Sequence, residues 1–166
     1  MKLSYLVAAC LVWVCMCAVL PAHAFTADTL TISVDGNGDA HAVMTYDLTL
    51  AEQAAIFFHA VNPATQLQTV ISDNFAGQVT VLRADTSSAE VTISSFATVN
   101  HSGNTTTITT PAFSFENAQK IMEKYWFASL LSPHLNPQIT TITFPDGYQA
   151  TYNGQMSFPS VTHQYS

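Results

Sequence analysis

The stretch "TLTISVDGNGDAHAVMTYDL", residues 29–48, decides the fold, because a tight-turn signal lies between two alternating runs. Apolar and hydroxyl side chains alternate in "TLTISV" (29–34), and apolar and polar ones alternate in "HAVMTYDL" (41–48). Asn37 and Gly38 between the runs are the dipeptide most typical of a two-stranded turn. We therefore predict a β-hairpin with these two runs as its strands.

The same turn has a second interpretation as a metal site. Asp35, Asn37 and Asp39 alternate in the way that the first ligands of a calcium loop do. Such a loop needs glycine at its sixth position and a bidentate glutamate at its twelfth, where this chain has Ala40 and Tyr46. A hairpin accounts for every residue present. We interpret the stretch as a turn; weak calcium binding at the three residues, and calcium bridges between subunits, stay open as alternatives.

Residues 1–24 predict a cleaved secretory signal. Lys2 precedes a long apolar run, and Ala22 and Ala24 occupy the small positions that a signal peptidase requires. A permanent membrane anchor is the alternative because the run is long, but Pro21 breaks a helix just before the cleavage site. We expect residues 25–166 to form a single extracellular domain at the cell surface, without a membrane segment after cleavage.

The composition of that domain excludes several classes of function. All three cysteines (Cys10, Cys15 and Cys17) lie in the predicted signal, so disulfides and thiol catalysis are excluded for residues 25–166. Loss of Lys2 leaves three basic residues against eleven acidic ones, which gives a net charge of −8. Such an acidic chain is not expected to bind nucleic acid or an anionic membrane.

Three helices are predicted from their starting residues. Thr49 and Glu52 form a capping box, which begins a helix at about residue 50. Asn62 and Pro63 begin a second helix. Ser114 caps the third and longest one, residues 115–131.

Further strands complete the expected fold. We predict a hairpin of residues 78–84 and 89–99, a strand at 105–110, and a last hairpin of residues 138–144 and 148–152. Hairpins interrupted by helices indicate an α+β fold: an antiparallel β-sheet built of hairpins with two or three helices packed on one face.

No catalytic motif supports an enzyme, so we expect neither catalysis nor a cofactor. The histidines are scattered, and no metalloprotease, nucleophile-elbow or phosphate-loop pattern is present. The main alternative function is a monomeric exported ligand-binding module, with Tyr125 and Trp126 lining an aromatic groove. An exported hydrolase that uses Asp or Glu with His is a second alternative, and it predicts such residues in one cleft.

Two glycosylation sequons lie close together in "NHSGNTT". They begin at Asn100 and Asn104, in a predicted loop. In an exported protein both asparagines are candidate glycan acceptors.

The predicted strands lack the usual protection against edge pairing. Exposed edges normally carry lysine, proline or inward-facing charge, because an open edge recruits another chain. Arg83 is the only basic residue in a predicted strand, and charged residues make up 9% of the chain, against about 25% in ordinary domains. Such threonine-rich, uncharged strands are typical of strand-to-strand polymers.

The strands "TLTISV", "VTISSFATV", "TTTITT" and "QITTITF" make the chain resemble a subunit of an extracellular protein coat. It is most similar to the amyloid-like cell sheaths of filamentous methanogenic archaea. The resemblance implies a homopolymer with continuous β-sheets, further envelope proteins as partners, and no cofactor. The predicted helix at 115–131 departs from a pure fibril former.

The resulting hypothesis is a secreted structural protein that self-assembles through edge-strand pairing. We expect the pairing edges among strands 29–34, 89–95, 105–110 and 139–144. The assembly residues on these strands are Thr29, Thr31, Ser33, Val91, Ile93, Thr106, Ile108, Thr141 and Ile142.

Overall fold

The computed structural model of the chain describes residues 26–48, 68, 79–122 and 134–166. The predicted signal, residues 1–24, lies outside these ranges. The named elements within them are eleven strands and a short helix, in the order β1 (Thr26–Val34), β2 (Ala40–Asp47), β3 (Val79–Ala84), β4 (Ser88–Ile93), β5 (Thr98–Ser102), β6 (Thr105–Thr109), β7 (Phe113–Ser114), α1 (Glu116–Met122), β8 (Ile139–Thr143), β9 (Gln149–Asn153), β10 (Ser157–Phe158) and β11 (Thr162–Tyr165).

Six strands form the large sheet, in the order β3-β4-β2-β1-β8-β9. The predicted hairpin at residues 29–48 is confirmed, because β1 and β2 pair antiparallel with Val34 opposite Ala40. The hairpins β3–β4 and β8–β9 are confirmed as well. The sheet is not purely antiparallel, however, since β1 and β8 run parallel with Ile32 beside Ile142.

A small sheet of β11, β6 and β5 shares its core with the large sheet. Because side chains alternate along a strand, each sheet turns one apolar face inward. Ile108 of the small sheet and Ile142 of the large sheet are both fully buried. The shared core consists of Leu30, Ile32, Val34, Ala40, Ala42, Val79, Val91, Ile93, Phe96, Ala97, Ile108, Ile142 and Phe144.

The predicted α+β fold, with two or three helices packed on one face, is wrong. The protein is mostly β with several sheets, and α1 is the one named helix in the described ranges. The core of the large sheet is completed by strands from the small sheet. Of the small-sheet strands, β6 matches the strand predicted at 105–110, whereas β11 and most of β5 were not predicted because they are short and polar, as loops are.

The predicted helices overlap little with the described residues. Ser114 caps the start of α1 as expected, since its Oγ accepts the N–H of Glu116, the first helical residue, at 3.2 Å. The described part of this helix ends at Met122, and the rest of the predicted range up to 131 lies outside the described residues. The helices predicted from residues 50 and 63 also lie outside them, apart from Gln68, which is helical.

The predicted strand 89–99 is divided into two. β4 ends at Ile93, the backbone turns at Ser95 with a φ of 55°, and β5 begins at Thr98. The Ser95 N–H donates to Asp39 Oδ1 at 2.8 Å, and the Ala97 N–H donates to the Gly38 carbonyl at 2.8 Å. These bonds hold the chain where it passes from the large sheet to the small one.

The turn at Gly38 is therefore a packing site as well as a reversal of the chain. Gly38 has a φ of +89°, which disfavours any residue with a Cβ. A Cβ there would lie 2.3 Å from the Ala97 carbonyl oxygen, so only hydrogen fits.

We predict that Gly38→Ala lowers the free energy of unfolding by about 3 kcal/mol or more, because backbone strain and a backbone clash add together. Gly147→Ala is the matched control, since Gly147 has a φ of +88° and nothing lies within 4 Å of its added Cβ. We expect a loss of about 1–2 kcal/mol for the control. Urea unfolding of both variants measures the difference, and equal losses would contradict the close packing at Gly38.

Tyr46 and Asp85 join the β3–β4 hairpin to β2. The Tyr46 hydroxyl donates to the carbonyl oxygens of Asp85 and Ser88, at 2.7 and 3.0 Å. Burial raises the pKa of Tyr46 to about 12, and the Asp85 charge adds to the effect. The backbone N–H groups of Ser87 and Ser88 donate to the Asp85 carboxylate and hold its pKa well below the usual range, and Arg83 contributes further.

We predict that Asp85→Asn lowers the free energy of unfolding by about 1 kcal/mol near neutral pH. The lowered pKa of Asp85 means that its charge stabilises the folded state fully above the ordinary value of 3.8, and that this contribution is lost as the pH falls further. Unfolding curves of both proteins from pH 7 down to acid check this. A gap between them that stays constant with pH would contradict it.

Candidate functional site at the sheet edges

The strands predicted to carry the assembly edges are all interior. In the described sheets β1 lies between β2 and β8, β4 between β3 and β2, β8 between β1 and β9, and β6 between β11 and β5. Their backbone groups are already paired on both sides. Of the predicted assembly residues, Val91, Ile93, Ile108 and Ile142 are buried in the core, and the others are partly buried or exposed: Thr29, Thr31, Ser33, Thr106 and Thr141.

The outer face of the large sheet carries the hydroxyl groups. Thr31 lies beside Thr141, which in turn lies beside Thr151, so three strands present threonine in one row. On the β1–β2 side, Thr29 and Thr45 face each other with their Oγ1 atoms 2.7 Å apart. This face is the threonine-rich surface that strand alternation predicts.

β3 is one end strand of the large sheet among the described strands, and it has the features of a blunted edge. Its register with β4 shifts between Val81 and Arg83, which marks a bulge. Arg83 has 65% of its side chain exposed, and Leu82 is also exposed. A bulge and a basic side chain both oppose pairing with another chain.

β9, the other end strand, has neither protection. It pairs with β8 without a shift from Ile139–Asn153 to Thr143–Gln149. Its sequence, "QATYN", has no charge and no proline, and Gln149, Thr151 and Asn153 are exposed. β9 is therefore a regular strand with one side open in the described sheet.

Close to β9, His163 connects β11 to the turn between β8 and β9. Its Nε2 lies 2.7 Å from Asp146 Oδ2, and its ring stacks on Tyr148 with centroids 4.1 Å apart and an interplanar angle of 7°. Phe144 and Tyr165 lie further out, with ring centroids 5.2 and 6.2 Å from His163. The arrangement holds the turn before β9 against the small sheet.

The hydrogen bond from His163 lowers the pKa of Asp146 below its ordinary value. A histidine–carboxylate pair is one part of a hydrolytic site, which also needs a nucleophile or an activated water. Among the described residues no group of three or more His, Cys, Asp or Glu side chains is placed to hold a metal ion. The pair was not found from the sequence because seventeen positions separate its members.

The residues of the alternative calcium interpretation bond with one another and with the neighbouring loop. Asn37 Nδ2 donates to Asp39 Oδ2 at 2.9 Å, and the Asp39 N–H donates to Asn37 Oδ1 at 3.1 Å. Asp39 Oδ1 accepts the Ser95 N–H. These bonds account for the side chains of Asn37 and Asp39 as parts of the turn.

The remaining predicted positions are the glycosylation asparagines, which are exposed, and the two aromatic residues of the predicted groove. Asn100 is exposed in β5, and Asn104 is exposed in the turn that joins β5 to β6. Tyr125 and Trp126, proposed for the aromatic groove, lie outside the described residues.

The chain matches no protein-family model, and the comparisons with curated proteins and with solved structures found no match either. In the described ranges no helix has the length and apolar content to cross a membrane.

We predict that His163→Phe returns the pKa of Asp146 towards its ordinary value of 3.8, because phenylalanine keeps an aromatic ring but donates no hydrogen bond. An NMR pH titration of the Asp146 carboxyl group measures this in both proteins. His163→Gln, which retains a donor without the ring, is the control and should lower the pKa in part. An unchanged titration in the phenylalanine variant would contradict the role of His163.

Proposed function

We propose that the protein is a secreted structural subunit that assembles with copies of itself, and that edge-strand pairing at β9 of the large sheet is the contact that starts this assembly. The observation that supports this most is β9, an exposed, uncharged and unbulged end strand. Backbone N–H and C=O groups along such an edge bind a further strand by extending the hydrogen-bonded ladder. Each bond contributes only about 0.5–1.5 kcal/mol, so a stable contact between two copies needs several of them in succession.

The distribution of charge gives the proposed assembly a salt dependence. Three basic residues oppose eleven acidic ones outside the predicted signal, so whole subunits repel one another. β9 itself has no charge, and the repulsion therefore comes from other parts of the surface. Salt screens charges that are separated by more than about 10 Å at 0.1 M, which favours assembly.

We expect the full chain, expressed with export, to yield ordered assemblies that grow with protein concentration and with salt. Size-exclusion chromatography with light scattering gives the mass, and negative-stain microscopy shows whether the large species are rings, sheets or tubes. Chelation of calcium in a parallel sample tests whether divalent cations bridge subunits. A monomer at every concentration and salt would overturn the proposal and favour a ligand-binding module instead.

A further inference from the structure

The hydrogen bonds at both ends of the β8–β9 hairpin show which residues of β9 bond to β8 and which face the side that is open in the described sheet. The Phe144 N–H donates to the Tyr148 carbonyl, and the Gly154 N–H donates to the Gln138 carbonyl, both at 2.9 Å. Bonded and non-bonded pairs alternate along an antiparallel ladder. Counting inward from either end places Gln149, Thr151 and Asn153 at non-bonded positions towards β8.

The N–H and C=O groups of Gln149, Thr151 and Asn153 therefore point away from β8, towards the open side. These three alternate residues each offer a backbone donor and acceptor to one further antiparallel strand. With two bonds at each pair, such a ladder contains about six main-chain hydrogen bonds.

The sequence of β9 is complementary to itself around Thr151. When a second β9 runs antiparallel, Gln149 lies opposite Asn153 of the second copy, so amide faces amide. Ala150 lies opposite Tyr152 of the second copy, which places a small side chain against a large one. Thr151 lies opposite its own counterpart, and no pair brings two charges together.

The strand directions favour this arrangement over head-to-tail joining. β8 is parallel to β1, and β9 is antiparallel to β8. β2, β4 and β3 alternate in direction from β1, so β3 and β9 run the same way. Joining β9 to β3 by translation would give a parallel pair at a bulged edge, whereas two β9 strands related by a two-fold axis give the more stable antiparallel pair.

We propose that β9 pairs with β9 of a second copy about a two-fold axis at Thr151, which joins two six-stranded sheets into one of twelve strands. This inference rests on the proposed function and specifies its first contact. The product of this contact is a symmetric dimer with the two bulged β3 edges at its far ends, and growth beyond the dimer uses surfaces other than these strand edges.

A cysteine at the axis tests the register. Cα atoms of a hydrogen-bonded antiparallel pair lie about 5.5 Å apart, within the roughly 4.4–6.8 Å that a disulfide spans. In the full chain with C10A, C15A and C17A, we expect Thr151→Cys to form a disulfide-linked dimer under mild oxidation. Gln149→Cys is the matched control, because two residues 149 would lie about 13 Å apart. Equal cross-linking of both variants, or none in either, would overturn the register.

Lysine substitutions on the two edges test which edge is used. Thr151→Lys places like charges opposite each other at the axis, and we expect it to raise the dimer dissociation constant at least about tenfold. Thr80→Lys puts the same charge on an exposed position of β3 and should leave the dissociation constant unchanged. Circular dichroism of both variants confirms folding.

The outcomes separate the two proposals. If Thr80→Lys weakens association and Thr151→Lys does not, the protein still self-assembles but the β9 dimer is overturned. If the unsubstituted chain stays monomeric, the proposed function fails as well. If only Thr151→Lys weakens association, the two-fold contact is supported.

Discussion

The register of the β1–β2 hairpin is the constraint on which the rest of the structure depends. Val34 opposite Ala40 places Leu30, Ile32 and Ala42 on the buried face of the large sheet. A slip by one residue would turn this whole set towards solvent, because side chains alternate along a strand. The same turn receives the Ala97 N–H at the Gly38 carbonyl, where the chain leaves for the small sheet. One tight turn therefore sets both the register of the large sheet and the position of the small one.

The two described end strands of the large sheet differ in their protection against pairing, and this difference determines which edge the proposed association uses. β3 has a bulge and Arg83, which natural proteins use to prevent edge pairing. β9 is regular and uncharged, and its preceding turn is held by His163. A sheet with one blunted and one open edge allows one strand-edge contact per subunit, which defines the first contact between two copies.

Sequence patterns predicted the hairpins of the large sheet well and the small sheet poorly. The strands around residues 35–39, 85–88 and 144–148 were found because alternation and turn residues are local signals. β11 and most of β5 were missed because these strands are short and largely polar. The α+β expectation followed from predicted helices, whereas in the described residues the small sheet packs Ile108, Val99 and Tyr165 against the core of the large sheet.

The candidate site at the sheet edges was also predicted only in part from the sequence. The hydroxyl-rich, weakly charged character of the strands was evident from the sequence, but the four strands chosen as edges are interior. The parallel pairing of β1 with β8 brings together segments more than one hundred residues apart, and it leaves β9 at the end of the sheet. By itself the sequence determined the turns, the alternating faces and the low charge, because these depend on neighbouring residues. Only the tertiary structure decided the strand order, the open edge and the His163–Asp146 contact, because these depend on burial between distant segments that carry no local signal.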